Sequence, residues 1–308
     1  MKRVAVFPGQ GAQAVGMGKA LFDAVPEARA VFEAVDEALG ERLSALIFEG
    51  PLESLTLTRN TQPALMATSL AAVRAFEARA GRPLGACVDA AAGHSLGEYS
   101  ALAAMGALEI GAAARLLRLR GEAMQDAVPA GAGAMAAVLG LDPGTAQAVA
   151  AEAAAATGKV CELANDNADG QAVLSGDQAA VEAACAIAKD KGAKRAMLLQ
   201  VSAPFHCRLM QPAADRLAEA LTATSYMPPL KPVVANVTVE PVADPAALPS
   251  LLTRQVTARV RWRETMQLLA AAGDTAIAEF GACNVLTGLC KRTVPTATLF
   301  NVEVPEDI

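Results

Sequence analysis

The stretch Gly93-His94-Ser95-Leu96-Gly97 constrains the fold more than any other part of the chain. A small, apolar segment from Cys87 to Ala92 precedes it, and Glu98 to Met105 follows as the start of a helix. G-x-S-x-G between a strand and a helix is the nucleophile-elbow pattern, a turn sharp enough to lift one serine hydroxyl clear of the sheet. Glycines flank the serine because a strand-to-helix turn this tight crowds any Cβ beside it. The turn also sets Ser95 near a helix N-terminus, where free backbone N–H groups and the helix dipole favour developing negative charge. The competing reading is a small-residue connection with serine as an N-cap, and the rest of the chain has to decide between them.

A chain of 308 residues is long enough to bury one large core or two smaller ones. Hydrophobic residues make up 53% of it, yet alanine supplies much of that share. No apolar run approaches the roughly 20 residues needed to cross a bilayer. The basic start Met1-Lys2-Arg3 leads into an apolar run that breaks at Pro8, which reads as a first strand and not as a signal peptide. Six scattered cysteines without a C-x-x-C pair fit a reducing compartment, so a cytoplasmic protein is expected. A net charge of −6 gives no electrostatic footprint for nucleic acid. Two histidines, His94 and His206, with no cysteine cluster argue against a zinc site.

Along the chain, Val4 to Phe7 reads as a strand, and the loop Pro8-Gly9-Gln10-Gly11-Ala12-Gln13 joins it to a helix. The loop fails both phosphate-binding patterns, since Gln13, Ala14 and Ala20 stand where glycine, glycine and a hydroxyl residue are required. It can still offer backbone N–H groups to an anion. Helical patterns cover Pro26 to Leu39 and Leu43 to Phe48, and another is expected to open at Thr61-Gln62-Pro63 and run to about Ala80. A helix over Ile110 to Met124 carries Arg115, Arg118 and Arg120.

From Gly131 the order changes. Strands are expected at Ala134 to Leu139, Val160 to Ala164, Gln171 to Ser175 and Ala196 to Val201. Helices are expected at Pro143 to Thr157 and Asp177 to Lys191, with Asn165 to Gly170 as a turn. That is β-α-β-β-α-β, the ferredoxin-like order. The expectation is an α/β protein: an α/β-hydrolase-like large domain with a parallel sheet and nucleophile elbow (1–129 and 201–308), carrying an inserted ferredoxin-like small domain (130–200).

A serine at an elbow needs a base. His94 adjoins Ser95 and should point away from its hydroxyl, whereas His206 lies on a loop where the chain re-enters the large domain. No carboxylate announces itself as the partner of that histidine, so a backbone carbonyl in a Ser-His dyad is the simpler expectation. Among the three arginines, residue physics alone does not choose.

Six segments in order carry a resemblance. They are Phe7 to Gln13, Thr61 to Leu65, Gly93 to Leu102, Arg120-Gly121 with Met124-Gln125, Gly133 to Val138, and Val201-Ser202 with His206. Together they resemble the malonyl-CoA:acyl carrier protein transacylases, over nearly the whole chain. The resemblance implies ping-pong acyl transfer: Ser95 attacks the thioester of malonyl-CoA while His206 takes its proton. It also implies that the backbone N–H groups of Gln10 and Leu96 hold the oxyanion and that the Gln255 carbonyl orients His206. Matching Arg120-Gly121 to the family motif selects Arg120 for the substrate carboxylate, a role that suits a planar, permanently charged fork. Phe205 is expected to narrow the acyl pocket and Asn165 to line it.

No bound cofactor or metal is implied, coenzyme A thioester being the substrate. The partners are malonyl-CoA and acyl carrier protein, with no nucleic acid or membrane, and the chain is expected to act as a monomer. A basic patch of Lys189, Lys191, Lys194 and Arg195 is a candidate for meeting an acidic carrier, against the plainer reading of a solvated helix face. Departures from the family pattern fall at Ala168-Asp169, at Arg259 and at Ala282-Cys283, none on Ser95, His206 or Arg120. Competing functions are a related acyltransferase serving a polyketide or malonate-decarboxylase carrier, a serine hydrolase, and a non-catalytic scaffold.

Overall fold

The computed structural model describes residues 1–308. Strands are numbered in chain order: β1 (Lys2–Phe7), β2 (Ala90–Gly93), β3 (Gly133–Leu139), β4 (Cys161–Ala168), β5 (Gln171–Asp177), β6 (Arg195–Leu198), β7 (Val233–Val234), β8 (Pro241–Val242), β9 (Thr275–Phe280) and β10 (Thr298–Val302). Six of them form a sheet in the order β10-β9-β1-β2-β7-β8, parallel except for the antiparallel edge strand β8. The short residues of β2, Ala90 to Ala92, are buried on both faces, as a central strand of a parallel sheet requires.

Alternation along β1 builds two cores. Ala5 and Phe7 join the main cluster of 56 buried residues, under the helices Pro26–Leu39, Thr58–Ala80 and Ile110–Asp126. Val4 and Val6 face the other way, with Trp262, Met266, Leu286 and Cys290 from the helices Trp262–Ala270 and Val285–Thr293. No helix is long and apolar enough to cross a membrane.

The remaining four strands form an antiparallel sheet in the order β4-β5-β3-β6. Period-two alternation again decides its faces. Ala134, Ala136 and Val138 pack under the helices Pro143–Thr157 and Gln178–Asp190 in a separate cluster of 16 buried residues. Met135 and Val173 point to the opposite side and join the main core.

Three expected boundaries move. The long helix begins at Thr58, so Pro63 lies inside it as the sixth residue instead of opening it. The segment Asn165 to Gly170 is not a turn: β4 continues through Ala168, and only Asp169-Gly170 turns. These polar residues stay extended because β4 pairs on both edges, with β5 on one and with Val260 on the other. There Val260 N–H donates to Ala164 O at 2.9 Å and Asp166 N–H to Val260 O at 3.0 Å. The last strand of the small sheet stops at Leu198, three residues before its expected end.

Register positions the site. Phe7 pairs with Gly93, so β1 and β2 end level, and the loop after β1 and the elbow after β2 leave the sheet side by side. Crevices at the carboxyl ends of parallel strands are where such sheets bind ligands.

Candidate active site

Ser95 turns at φ 54°, a left-handed conformation unusual for a non-glycine residue. Its neighbours show why glycine is required there. A Cβ on Gly93 would stand 1.8 Å from Gly97 O, and one on Gly97 would stand 2.2 Å from Phe7 O. Asn236 ties the turn together, accepting from Ser95 N–H through Oδ1 at 2.8 Å and donating from Nδ2 to Gly93 O at 2.7 Å.

His206 reaches this turn from 111 residues away. Its Nε2 lies 2.8 Å from Ser95 Oγ, and its Nδ1 lies 3.0 Å from Gln255 O. A carbonyl only accepts, so Nδ1 carries the proton and Nε2 presents a lone pair to the serine. Burial, and then the charge of Arg120, push the His206 pKa down to about 3, which keeps the ring neutral at physiological pH. His94 turns elsewhere, with Nε2 2.8 Å from Asn167 Oδ1 and its ring 5.5 Å from that of Trp262.

Arg120 is 1% exposed, yet no carboxylate pairs with it. It donates to Gln62 Oε1 at 2.8 Å, Gln255 Oε1 at 3.0 Å and Ser95 Oγ at 3.1 Å, and its Nε–H has no acceptor. Burial lowers its pKa, opposed by Tyr99 and Glu98 nearby. The helix that carries it packs against the first turn of Thr58–Ala80 so closely that a Cβ on Gly121 would lie 2.6 Å from Arg59 Cα. That approach brings Arg120 and Gln62 together. Arg118 pairs instead with Glu41 and Asn60, outside the cleft.

The cleft, about 310 Å³, lies between the two sheets. Ser95, His206, Arg120, Gln10, Leu96, Asn165 and Phe205 all line it. The N–H groups of Gln10 and Leu96 donate to no protein acceptor, and Gln13 Oε1 holds the loop in place through Gly11 N–H at 2.7 Å. Phe205 directly precedes His206 and is 8% exposed. Asn165 is 6% exposed, on β4.

Other residues of the site were not singled out in the sequence. Gln62 lay within the Thr61 to Leu65 segment, and Glu98 directly follows the elbow, so position was a signal for both. Asn236 and the side chain of Gln255 gave none. Gln255 Nε2 donates to Ser95 O at 3.0 Å and to Glu98 Oε2 at 2.8 Å.

Residues 4–304 match the acyl transferase domain model. The chain belongs to the acyl transferase family. This acyl transferase is 45% identical to the malonyl CoA-acyl carrier protein transacylase of Bacillus subtilis strain 168, an alignment covering 100% of this chain and 96% of the relative. Identity to the Escherichia coli K12 protein of the same name is 43%, covering 97% and 95%. Among solved structures, the acyl-carrier-protein-S-malonyltransferase from Bartonella henselae superposes with a TM-score of 0.96 at 49% identity, covering 100% and 97%. A malonyl-transacylase in complex with its type II PKS acyl-carrier protein superposes with a TM-score of 0.95 at 41% identity, covering 100% and 97%.

Proposed function

We propose that this acyl transferase moves a malonyl group from malonyl-CoA to the phosphopantetheine thiol of an acyl carrier protein, in fatty-acid synthesis, through a malonyl ester of Ser95. His206 Nε2 takes the Ser95 proton as Oγ attacks the thioester carbonyl. The free N–H groups of Gln10 and Leu96 receive the oxyanion, the usual source of most of the rate in acyl transfer. Collapse breaks the C–S bond, and His206 returns the proton to the departing thiolate of coenzyme A. In the second half, His206 deprotonates the carrier thiol, which attacks the ester carbonyl, and Ser95 leaves with the proton. The carbonyl of Gln255 holds the ring in the needed tautomer throughout.

The observation that carries this reading is a buried guanidinium beside the serine, held only by neutral acceptors. Burying a cation unpaired is costly. A substrate carboxylate in the cleft would supply the missing anion, and a general esterase gains nothing from such a group. Asn165 and Phe205 form the wall that limits the acyl group.

The same reading treats 1–129 and 201–308 as an α/β-hydrolase-like catalytic domain and 130–200 as a ferredoxin-like insert, supported by the separate core and strand order of the small sheet. It takes the protein as a cytoplasmic monomer. Lys189, Lys191, Lys194 and Arg195 are candidates to meet the carrier. Lys191 already lies 3.1 Å from Glu152, which weakens its part in the patch.

Incubation with malonyl-CoA or acetyl-CoA followed by intact-mass measurement tests the assignment. A malonyl adduct should form on Ser95, vanish in Ser95→Ala, and lose its preference over acetyl in Arg120→Ala. Thioester turnover without a carrier thiol, or an adduct that survives Ser95→Ala, would sink it. Parallel assays with fatty-acid and polyketide carriers separate the two recipients.

A further inference from the structure

Glu98 lies three residues after the nucleophile, on the helix Gly97–Ala104, and is 2% exposed. It touches neither the hydroxyl of Ser95 nor the ring of His206. One of its oxygens, Oε2, takes two hydrogen bonds, from Asn236 N–H at 3.0 Å and Gln255 Nε2 at 2.8 Å. Its other oxygen takes none from the protein. Both residues bonded to Oε2 are themselves fastened to the elbow, Asn236 at Ser95 N–H and Gly93 O, Gln255 at Ser95 O.

The side-chain amide of Gln255 has two distinguishable ends. Its Nε2 faces two acceptors, Ser95 O and Glu98 Oε2, while its Oε1 faces a guanidinium that only donates. Reversing the amide would set an NH2 group against Arg120 and an oxygen against two oxygens. Ser95 O accepts from only one of the two Nε2 protons, so the other would be left without a partner. Glu98 supplies the second acceptor.

We propose that Glu98 is a positioning residue for substrate selection: through Oε2 it fixes the Gln255 amide with its oxygen toward Arg120, and so holds the guanidinium for the substrate's carboxylate. The inference rests on the malonyl-transfer reading. It assigns Glu98 no contact with substrate. Since His206 is oriented by the backbone carbonyl of Gln255 and not by its amide, loss of Glu98 should damage carboxylate recognition more than acylation itself.

The test measures the second-order rate of Ser95 acylation by malonyl-CoA and by acetyl-CoA. At about pH 8, where the Glu98 carboxylate is ionised, malonyl loading in Glu98→Met should fall about ten- to hundredfold, the range for losing a hydrogen bond to a charged group. Acetyl loading should stay within about threefold. Glu98→Gln should restore malonyl loading to within about threefold of wild type, because its amide oxygen can replace Oε2 and its NH2 can stand where the unbonded oxygen lies. In an Arg120→Met background, Glu98→Met should leave the malonyl-to-acetyl ratio unchanged, since the residue it acts through is gone.

Equal losses for both donors, a Glu98→Gln variant as impaired as Glu98→Met, or a further fall of the ratio without Arg120 would each overturn the proposal. If Glu98→Met does not fold, Glu98→Asp decides: its shorter side chain withdraws the acceptor from Gln255 Nε2, with the same selective loss expected and its absence overturning the proposal. A wild-type protein that fails to load malonyl at all would reject the assigned reaction instead, a distinct outcome.

Discussion

Depressed basicity of His206 makes a quantitative claim about rate. An ordinary imidazole with a pKa of 6.5 would be only about 3% neutral at pH 5, a roughly 30-fold loss of general base. Here burial and Arg120 lower the value to about 3. The rate of Ser95 acylation by acetyl-CoA, which carries no carboxylate of its own to titrate, should therefore stay level from pH 8 to about pH 5. Arg120's share can be removed separately. Arg120 Nη2 lies 3.1 Å from Ser95 Oγ, and His206 Nε2 lies 2.8 Å from the same atom, so the two groups are within about 6 Å. At an effective dielectric of about 20 a charge at that distance is worth about 3 kcal/mol, or about two pH units.

Arg120→Met should accordingly move the acid limb up by about two pH units, toward pH 5, without changing the plateau for acetyl-CoA by more than about threefold. Rapid-quench measurement of the acyl-Ser95 adduct after short pH jumps reads this before acid unfolding intervenes. A wild-type acid limb near 6.5 that persists in Glu98→Gln, or an Arg120→Met profile that does not move, would refute the reasoning.

Stability should carry opposed signatures of two buried groups. Burial lifts Glu98 from 4.5 to about 7, so the folded chain keeps a proton that the unfolded chain loses, and stability falls as pH rises through that window. His206 does the reverse, since below 6.5 the unfolded chain takes up a proton that the folded chain refuses until about pH 3. Between 4.5 and 6.5 the two slopes offset, and Glu98→Gln should unmask a loss on the order of 1 kcal/mol per unit of falling pH in urea denaturation; parallel wild-type and variant curves would contradict this. Gly97→Ala should abolish Ser95 acylation and lower the melting temperature, because its Cβ meets Phe7 O at 2.2 Å. Gly288→Ala, with nothing within 4 Å in the helix Val285–Thr293, should be neutral or raise stability by about 1 kcal/mol. Phe205→Ala should admit α-substituted malonyl groups, and an unchanged acyl profile by intact mass removes that assignment. Charge reversal at Lys189, Lys194 and Arg195 should slow transfer to the carrier more than loading from coenzyme A, and equal effects on both half-reactions reject the patch.

What could be read from residue order follows the range of the forces involved. The helices Pro26–Leu39 and Pro143–Thr157 match their expected spans because each starts with proline in the first turn and ends at a left-handed glycine, signals contained within the element. Gly93 at the elbow is equally local, since its added Cβ would meet Gly97 O within the same turn. By contrast, Asn165 to Ala168 looks like a turn until Val260, far along the chain, pairs with its free edge. The early start at Thr58 likewise depends on packing against Gly121, which no helix signal near Pro63 reports.

The amides of the site were the least legible, and they explain why its arginine is usable. Gln62 and Gln255 come from separate helices and converge only in three dimensions, where each offers Arg120 a carbonyl oxygen without a charge. A carboxylate at either place would bond the guanidinium as well and neutralise it, leaving nothing for a substrate anion to gain. The acid that does lie near, Glu98, is one step removed, with Gln255 between it and Arg120. Carboxamides in this chain thus do what carboxylates cannot: they hold a cation in place while leaving its charge unspent. Their side chains carry no periodicity, cap or motif spacing that would mark them in advance, whereas Ser95 sits in the elbow motif, His206 is one of two histidines, and Arg120 is picked out from its neighbours by the Arg120-Gly121 pair.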